Sequence, residues 1–291
     1  PKRDITGELE KAIKGQGMKF ITTFHHAWNW NFFPKDEAFD TLDPAAEGLY
    51  SRKRDNAAMD AKYLQDFYGQ VIEVVEKYDP DMLWFDFGLG HIPDRYRKHM
   101  LAAYYNRAAE AGKEVTVAYK SDQLTPFSGL YDLEMGKMNK LTPHHWLTDT
   151  CVDASPGGCW GHVKGIGYKS PERLIHNLVD RVSKNGYLLL NVGPRADGTI
   201  PEPAQDCLRE IGKWLAINGE AIFGTVPWVL AGDGPTKTDG GGGFNENNEA
   251  RFTCHDVRYT CKDNAIYVTA LGRPGEQVIC PYLRHPIDFP E

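Results

Sequence analysis

The sequence predicts an α/β fold with a parallel sheet, followed by a small all-β region. Helical and strand patterns alternate from residue 1 to about residue 220, and residues 187–192 form a nearly continuous apolar run of the kind buried in parallel sheets. After about residue 226 the pattern changes to short strands and a glycine-rich loop. The alternation is compatible with a (β/α)8 barrel or with a doubly wound sheet.

The predicted helices follow from apolar spacing and from signals at their ends. Ser170 is a typical N-cap residue, and Pro171 fits the first helical position after it. Pro80 ends the second helix, because proline lacks the backbone N–H that a helix interior needs. Helices are predicted at 4–14, 56–78, 96–111, from Pro171 onward, and at 202–218.

Strands are predicted where apolar or β-branched residues run together. They lie at 18–26, 82–87, 115–119, 130–135, 145–150 and 187–192, and in the all-β region at 250–253 and 265–270. About six strands thus precede residue 220, whereas a closed barrel has eight. Either the fold is another α/β type, or two or three βα units precede Pro1 in a longer protein. We expect domains at 1–225 and 226–291.

The bulk properties exclude several kinds of partner. The formal net charge is −7 and no basic stripe is present, which argues against nucleic acid. No apolar run approaches the roughly 20 residues that span a bilayer, so no membrane span is expected. The six cysteines show no CxxC pair and no zinc spacing. Cys254 and Cys261 flank a predicted hairpin and could pair in an oxidising compartment.

Asp86 is the first candidate catalytic residue. It lies near the end of the apolar strand at 82–87, and reactive groups of parallel barrels lie at the carboxyl ends of strands. Side chains alternate along a strand, so Trp84 and Asp86 point to the same face. An indole and a carboxylate on the interior face would form a pocket floor. The alternative is an aspartate that caps the next helix or pairs with a lysine.

Glu134 is the second candidate, on the predicted strand at 130–135. Asp132 shares its face by the same alternation, and the apolar Leu133 and Met135 flank it. An apolar setting raises the pKa of a carboxyl group, as a general acid requires. A retaining glycosidase needs two carboxyls about 5–5.5 Å apart. The alternative is a pair of surface acids on a polar strand edge.

Two other motifs are weaker. The pairs at 25–26 and 144–145 are both His-His, but no HExxH or paired carboxylates accompany them, so hydrogen bonding to sugar hydroxyls or a structural role is favoured over metal ligation. The stretch at 193–198 fits GxxxxG, but Thr199 stands where a phosphate-binding loop has lysine. A Pro and Asp-Gly loop explains it better.

Three stretches together carry a family resemblance. The longest is YLLLNVGPRADGTIP at 187–201, which continues into IGKWL at 211–215 and NGEAIFGT at 218–225. The others are PDMLWFD at 80–86, and KRD at 2–4 with GMKF at 17–20. They resemble the α-L-fucosidases of glycoside hydrolase family 29. The resemblance implies a (β/α)8-like barrel whose early strands are missing here, followed by a partial C-terminal β-sandwich.

The resemblance also implies roles for individual residues. Asp86 matches the nucleophile and Trp84 the tryptophan beside it, and Glu134 is the match for the acid/base, with Asp132 as the fallback. Family members bind fucose with histidines and an aromatic shelf. The remaining candidate substrate-binding residues are therefore His26, Trp30 and Trp146, together with Lys120, which stands near a family arginine.

The predicted function is hydrolysis of terminal α-L-fucosyl residues of oligosaccharides or glycoconjugates by a retaining double displacement. No metal or other cofactor is expected. Such substrates favour a periplasmic, lysosomal or extracellular location. Two alternatives stay open: a catalytically silent sugar-binding fragment, and a retaining barrel glycosidase that acts on another sugar.

Overall fold

The computed structural model describes residues 3–50, 58–121, 123–155, 160–237, 241–246 and 251–283. The chain divides into two compact units, Pro1–Tyr131 and Asp132–Glu291. This division falls inside the segment predicted as one barrel domain, and the predicted domain boundary after residue 225 stays a prediction.

The first unit is a parallel three-stranded layer covered by helices. Asp4 accepts a hydrogen bond from the N–H of Gly7 and so begins the first helix, and Asp60 caps the longest one through the N–H of Tyr63. Its helices are α1 (Ile5–Lys14), α2 (Asn29–Phe32), α3 (Glu47–Tyr50), α4 (Ala61–Tyr78) and α5 (Asp94–Glu110), and its strands are β1 (Ile21–Phe24), β2 (Met82–Phe85) and β3 (Thr116–Lys120).

The layering of this unit decides which strand residues face the helices. Phe24 pairs with Phe85, and Phe85 pairs with Tyr119, in parallel register. These three rings belong to one buried cluster with apolar residues of α4 and α5. Because side chains alternate along a strand, the neighbours of these residues point away from the helices.

The second unit combines α/β elements with an antiparallel sheet. Strand β4 (Leu130–Asp132) crosses the boundary between the units, and β5 (Trp146–Cys151) and β6 (Gly186–Asn191) are parallel neighbours. Helix α6 (Pro171–Ser183) lies between β5 and β6 along the chain, and helix α7 (Glu202–Asn218) follows β6, so strands and helices alternate as in the first unit. The antiparallel sheet consists of β7 (Val226–Asp233), β8 (Val257–Lys262) and β9 (Ala265–Ala270).

Many predicted elements are confirmed. The helix at 202–218 and the strand at 265–270 have the predicted bounds, and Ser170 caps α6 through the N–H of Arg173 with Pro171 as first helical residue. Among the described residues, six strands end before residue 192, which agrees with the count from sequence, and a three-stranded sheet follows. Closure into a barrel and completion of a sandwich stay predictions.

Four predictions about local structure are corrected. The strand at 130–135 ends at Asp132, so Glu134 lies in a turn. Residues 251–253 form no strand, and residue 250 lies outside the described residues. Cys254 and Cys261 are free thiols, and Cys261 lies inside the β8–β9 hairpin, so the two cysteines do not flank it. The predicted helix at 56–78 begins at Ala61, and its first two residues lie outside the described part.

No helix in the described part of the chain combines the length and the apolar character that crossing a membrane requires.

Candidate active site

A row of three polar residues lies at the carboxyl ends of the strands in the first unit. Phe24, Phe85 and Tyr119 are register partners, so the residues that follow them, His25, Asp86 and Lys120, continue the same row. The N–H of Asp86 still donates to the carbonyl oxygen of Phe24 over 3.1 Å, which extends the ladder beyond β2. The register of the parallel sheet therefore brings these three side chains together.

Asp86 is half-buried and is stabilised as a carboxylate. Burial alone would raise the pKa of Asp86. A hydrogen bond from His25 Nε2 to Asp86 Oδ2 (3.2 Å), another from the N–H of Phe87 and the positive charge of Lys120 outweigh burial, so the pKa is lowered. The side chain keeps 23% of its accessible surface. Asp86 is thus an ionised carboxylate that a ligand can reach.

Lys120 and Trp84 pack against each other near Asp86, and neither residue lines the cavity described below. Lys120 is the last residue of β3 and is only 2% exposed, and its Nζ lies 5.0 Å from the centroid of the Trp84 ring. A desolvated cation over an indole contributes about 2 kcal/mol. Ala118 is the register partner of Trp84, and its small side chain leaves room for the indole. The structure brings Asp86, Trp84 and Lys120 near one another, and of these three only Asp86 lines the cavity, so the predicted pocket floor of indole and carboxylate stays a prediction.

A cavity of about 660 Å³ opens above Asp86. Its walls are mainly aromatic, and Gln123 supplies a buried amide oxygen that has no hydrogen-bond partner among the described residues. An apolar cavity with a few polar groups is typical of small-ligand sites. The lining residues are His25, Trp28, Asn29, Phe32, Phe33, Asp86, Phe87, Gly88, Gly90, His91 and Gln123.

Gly88 sets the shape of one cavity wall. Its φ of 95° lies in the region that favours glycine, and a Cβ at this position would lie 2.9 Å from the backbone nitrogen of Trp28. The chain after Asp86 therefore packs directly against Trp28, which keeps this indole in the cavity wall.

His26 and Trp30, two predicted sugar-binding residues, do not line this cavity. The His26 ring stacks on Phe67 of α4 with centroids 4.4 Å apart, and burial lowers the pKa of His26 to about 4. Trp30 is 4% exposed and packs against Tyr63 at 4.8 Å. Both side chains belong to the helix-facing side, whereas the adjacent His25 and Trp28 face the cavity.

Glu134 occupies a tightly held turn in the second unit. It follows β4 and is partly exposed, and Met135 after it has a φ of 44°. The argument from strand alternation does not apply to Glu134, because the strand ends at Asp132. Asp132, the fallback acid, is 2% exposed.

Trp146 lies in the interior of the second unit. It is the first residue of β5, fully buried, and its Nε1 donates to the carbonyl oxygen of Lys184 over 3.0 Å. Its ring packs on Gly186, where a Cβ would clash with the indole. A buried residue at the amino end of a strand is far along the strand from the carboxyl end, where barrel chemistry takes place. The structure therefore does not place Trp146 where a substrate could stack on it.

Sequence reasoning missed His25, Trp28 and Gln123 as cavity residues. The His-His pair at 25–26 is visible in the sequence. Which of the two histidines faces the cavity depends on which one directly follows Phe24, the register partner of Phe85. From the sequence alone, this partner could be found only by aligning the apolar runs of β1 and β2 with each other, end against end.

The described residues contain no group of three or more His, Cys, Asp or Glu side chains that could hold a metal ion.

Comparison with known proteins gives one consistent family. A family model described as alpha-L-fucosidase matches residues 1–220. The chain is 32% identical to human plasma alpha-L-fucosidase over 240 residues, which are 80% of this chain and 48% of that protein. It is 28% identical to rat tissue alpha-L-fucosidase over 287 residues, 96% of this chain and 54% of that protein. The chain thus spans about half the length of these curated relatives.

Comparison with solved structures gives the same family. A structure titled alpha-L-fucosidase matches with a TM-score of 0.70 and 31% identity, covering 94% of this chain and 55% of that one. The Thermotoga maritima alpha-fucosidase in complex with fucose matches with a TM-score of 0.65 and 29% identity, covering 92% of this chain and 54% of that one. The match of the family model over residues 1–220, together with these relatives, shows that the chain belongs to the α-L-fucosidase family.

Proposed function

We propose that this protein is a retaining α-L-fucosidase in which Asp86 is the nucleophile and Glu134 the acid/base. The observation that carries the proposal is the ionised carboxylate of Asp86. Asp86 directly follows a strand of a parallel sheet, lies beside Lys120 and His25, and faces a cavity, in a chain that belongs to this family.

The reaction runs in two steps. An oxygen of Asp86 attacks the anomeric carbon and forms an ester, while the bond from this carbon to the leaving oxygen breaks and that oxygen takes the proton of Glu134. Water then attacks the anomeric carbon, gives its proton to Glu134, and the ester bond breaks to restore the Asp86 carboxylate. Two inversions leave the configuration retained.

The electrostatics around Asp86 suit the first step. A nucleophile must be ionised at working pH, and the groups that lower the pKa of Asp86 favour this state. Because the same groups stabilise the carboxylate, they also make Asp86 a good leaving group when the ester is hydrolysed. The positive charge of Lys120 and the hydrogen bond from His25 stabilise the negative charge that returns to Asp86 in the second step.

The cavity suits a 6-deoxy sugar. Fucose carries a methyl group where most hexoses carry a hydroxymethyl group, so part of the sugar can contact aromatic rings such as Trp28 and Phe87. The amide oxygen of Gln123 is an acceptor for a sugar hydroxyl. A fucosylated oligosaccharide or glycoconjugate is the proposed substrate class. The proposed organisation is the C-terminal part of a (β/α)8-like barrel at 1–225, followed by a partial β-sandwich at 226–291.

Turnover of 4-nitrophenyl α-L-fucoside tests the proposal. We expect the protein to release nitrophenol and Asp86→Gly to lose this activity. Azide should restore release in Asp86→Gly and yield β-L-fucosyl azide, because azide takes the place of the missing carboxylate. Unchanged activity in Asp86→Gly would refute the assignment of the nucleophile. Turnover of another nitrophenyl glycoside in preference to the fucoside would refute the sugar specificity.

A further inference from the structure

Glu246 is a buried carboxylate with no part in the reaction proposed above. Its side chain and that of Lys169 are each 1% exposed, and Lys169 Nζ lies 2.8 Å from Glu246 Oε1. Asn177 Nδ2 donates to Oε1 over 3.2 Å, and the hydroxyl of Thr150 donates to Oε2. Burying an ion pair seldom adds stability compared with an apolar pair, so its presence calls for another explanation.

The backbone around Glu246 is hydrogen-bonded to the turn that carries Glu134. The N–H of Phe244 donates to the carbonyl oxygen of Glu134 over 2.7 Å, and the N–H of Glu246 itself donates to that of Met135 over 2.9 Å. Gly242 and Lys137 exchange two further bonds of 2.9 and 3.2 Å. The backbone of the loop at 241–246 is thus bonded to Glu134 itself and to the residues that follow it, up to Lys137.

The other side of the turn is also held. Thr148 Oγ1 donates to the carbonyl oxygen of Leu133 over 2.7 Å, and Arg181 donates to that of Gly136 over 3.2 Å. A Cβ on Gly136 would lie 2.6 Å from the carbonyl oxygen of Gly242, so turn and loop are in direct contact. Met135 keeps its left-handed conformation only because such contacts fix it.

We propose that Glu246 is a positioning residue for Glu134, because its buried carboxylate anchors the loop whose backbone holds the Glu134 turn. The inference rests on the proposed role of Glu134 as the acid/base. Proton transfer to a leaving oxygen requires donor and acceptor at hydrogen-bond distance, and a small displacement of the donor slows it. Loss of the anchor therefore impairs protonation of the leaving group more than it impairs attack by the nucleophile.

The test compares leaving groups. A 2-chloro-4-nitrophenyl leaving group departs without protonation, whereas methanol from methyl α-L-fucoside does not. We expect Glu246→Gln to change kcat/KM for the activated substrate less than about twofold. For the methyl fucoside we expect kcat/KM to fall by about 10- to 100-fold, because a displaced acid loses only part of the roughly 10²- to 10⁴-fold that general acid catalysis contributes. Glu134→Gln should show the same pattern with a larger loss.

Asp256→Asn is the matched control. Asp256 is also a fully buried carboxylate of the second unit, and it anchors loop backbone through the N–H groups of Thr236 and Thr253. Within the part of the chain that the structure describes, it makes no hydrogen bond to the Glu134 turn. Its loss should affect both substrates equally. If Glu246→Gln also lowers both substrates equally while Glu134→Gln keeps its dependence on the leaving group, Glu246 is only structural and the inference is wrong.

The Glu134→Gln variant shows whether the proposed role of Glu134 itself is wrong, as distinct from the proposed role of Glu246. If Glu134→Gln shows no dependence on the leaving group, Glu134 is not the acid, and the inference fails with it. Should Glu246→Gln not fold, Thr150→Val removes one donor to Glu246, together with the bond that Lys169 Nζ donates to Thr150 Oγ1, and keeps both members of the ion pair in place. Thr150→Val should lower kcat/KM for the methyl fucoside by about threefold to tenfold and leave kcat/KM for the activated substrate nearly unchanged. An equal effect on both substrates would overturn the inference.

Discussion

Asp86 and Glu134 are held in place in different ways. Asp86 follows a strand, and its neighbours His25 and Lys120 occupy the same row of the sheet, so its surroundings are side chains set by strand register. Glu134 lies in a turn whose backbone is hydrogen-bonded to β5, to Arg181 and to a loop more than 100 residues later. Side-chain changes near Asp86 should therefore alter the rate of the reaction. Changes around the Glu134 turn should first alter the stability of the fold or the position of the Glu134 side chain.

The largest expected effect is the loss of the Asp86 carboxylate. Asp86→Asn should lower kcat by at least about a thousandfold, because no nucleophile remains. The control is Asp81→Asn at the other end of β2, where Asp81 accepts from the N–H of Phe20 over 2.8 Å. That variant should lose about 1–3 kcal/mol of unfolding free energy and keep its kcat. Comparable loss of kcat in both variants would show that the carboxyl end of the strand has no special role.

Removal of His25 should change the pH dependence of activity. Burial would raise the pKa of Asp86, and the hydrogen bond from His25 is the strongest of the opposing influences. His25→Ala should therefore raise this pKa, so that activity is lost at a higher pH as the solution is acidified. At neutral pH we expect kcat/KM to fall by roughly 10- to 100-fold, the equivalent of one charge-assisted hydrogen bond.

His26→Ala is the control for this measurement. Its ring contacts Phe67 rather than Asp86, so the variant should be less stable to heat but keep the acid limb of kcat/KM. An acid limb that moves with His26 and not with His25 would overturn the assignment based on register.

A smaller effect is expected from Gly88→Ala. The new methyl group would press on Trp28 and reshape the cavity, so KM should rise about fivefold, the equivalent of about 1 kcal/mol of binding free energy. Gly112→Ala has a similar positive φ but meets nothing within 4 Å. It should share the backbone strain, visible as a lower Tm, and keep its KM. Equal KM values in the two variants would mean that Trp28 does not touch the substrate.

The smallest effect on activity is expected in the second unit, at Trp146. Trp146→Phe removes the hydrogen bond to Lys184 and leaves a small cavity, so stability should fall by about 1–3 kcal/mol with KM unchanged. Trp28→Phe, by contrast, should raise KM with little change in stability, since Trp28 is 39% exposed. A raised KM in folded Trp146→Phe would contradict its interior role.

The difference between the two regions also explains what the sequence could predict. The bounds of α7 and β9 and the place of Asp86 at a strand end follow from local signals, so they were predicted. The choice of His25 over His26 depends on pairing with a strand about 60 residues away. The Glu134 turn and Glu246 depend on partners still farther away, such as Thr150, which lies 96 residues from Glu246. No local pattern encodes such contacts.

Trapping the covalent intermediate tests the central claim most directly. Incubation with 2-deoxy-2-fluoro-fucosyl fluoride slows hydrolysis of the ester more than its formation, so peptide mass mapping should find one fluorofucosyl group on Asp86. The label should be absent from Asp86→Asn and present in Asp81→Asn. A label on another carboxylate, or turnover with inverted configuration and no label, would contradict the assignment of Asp86 as the nucleophile.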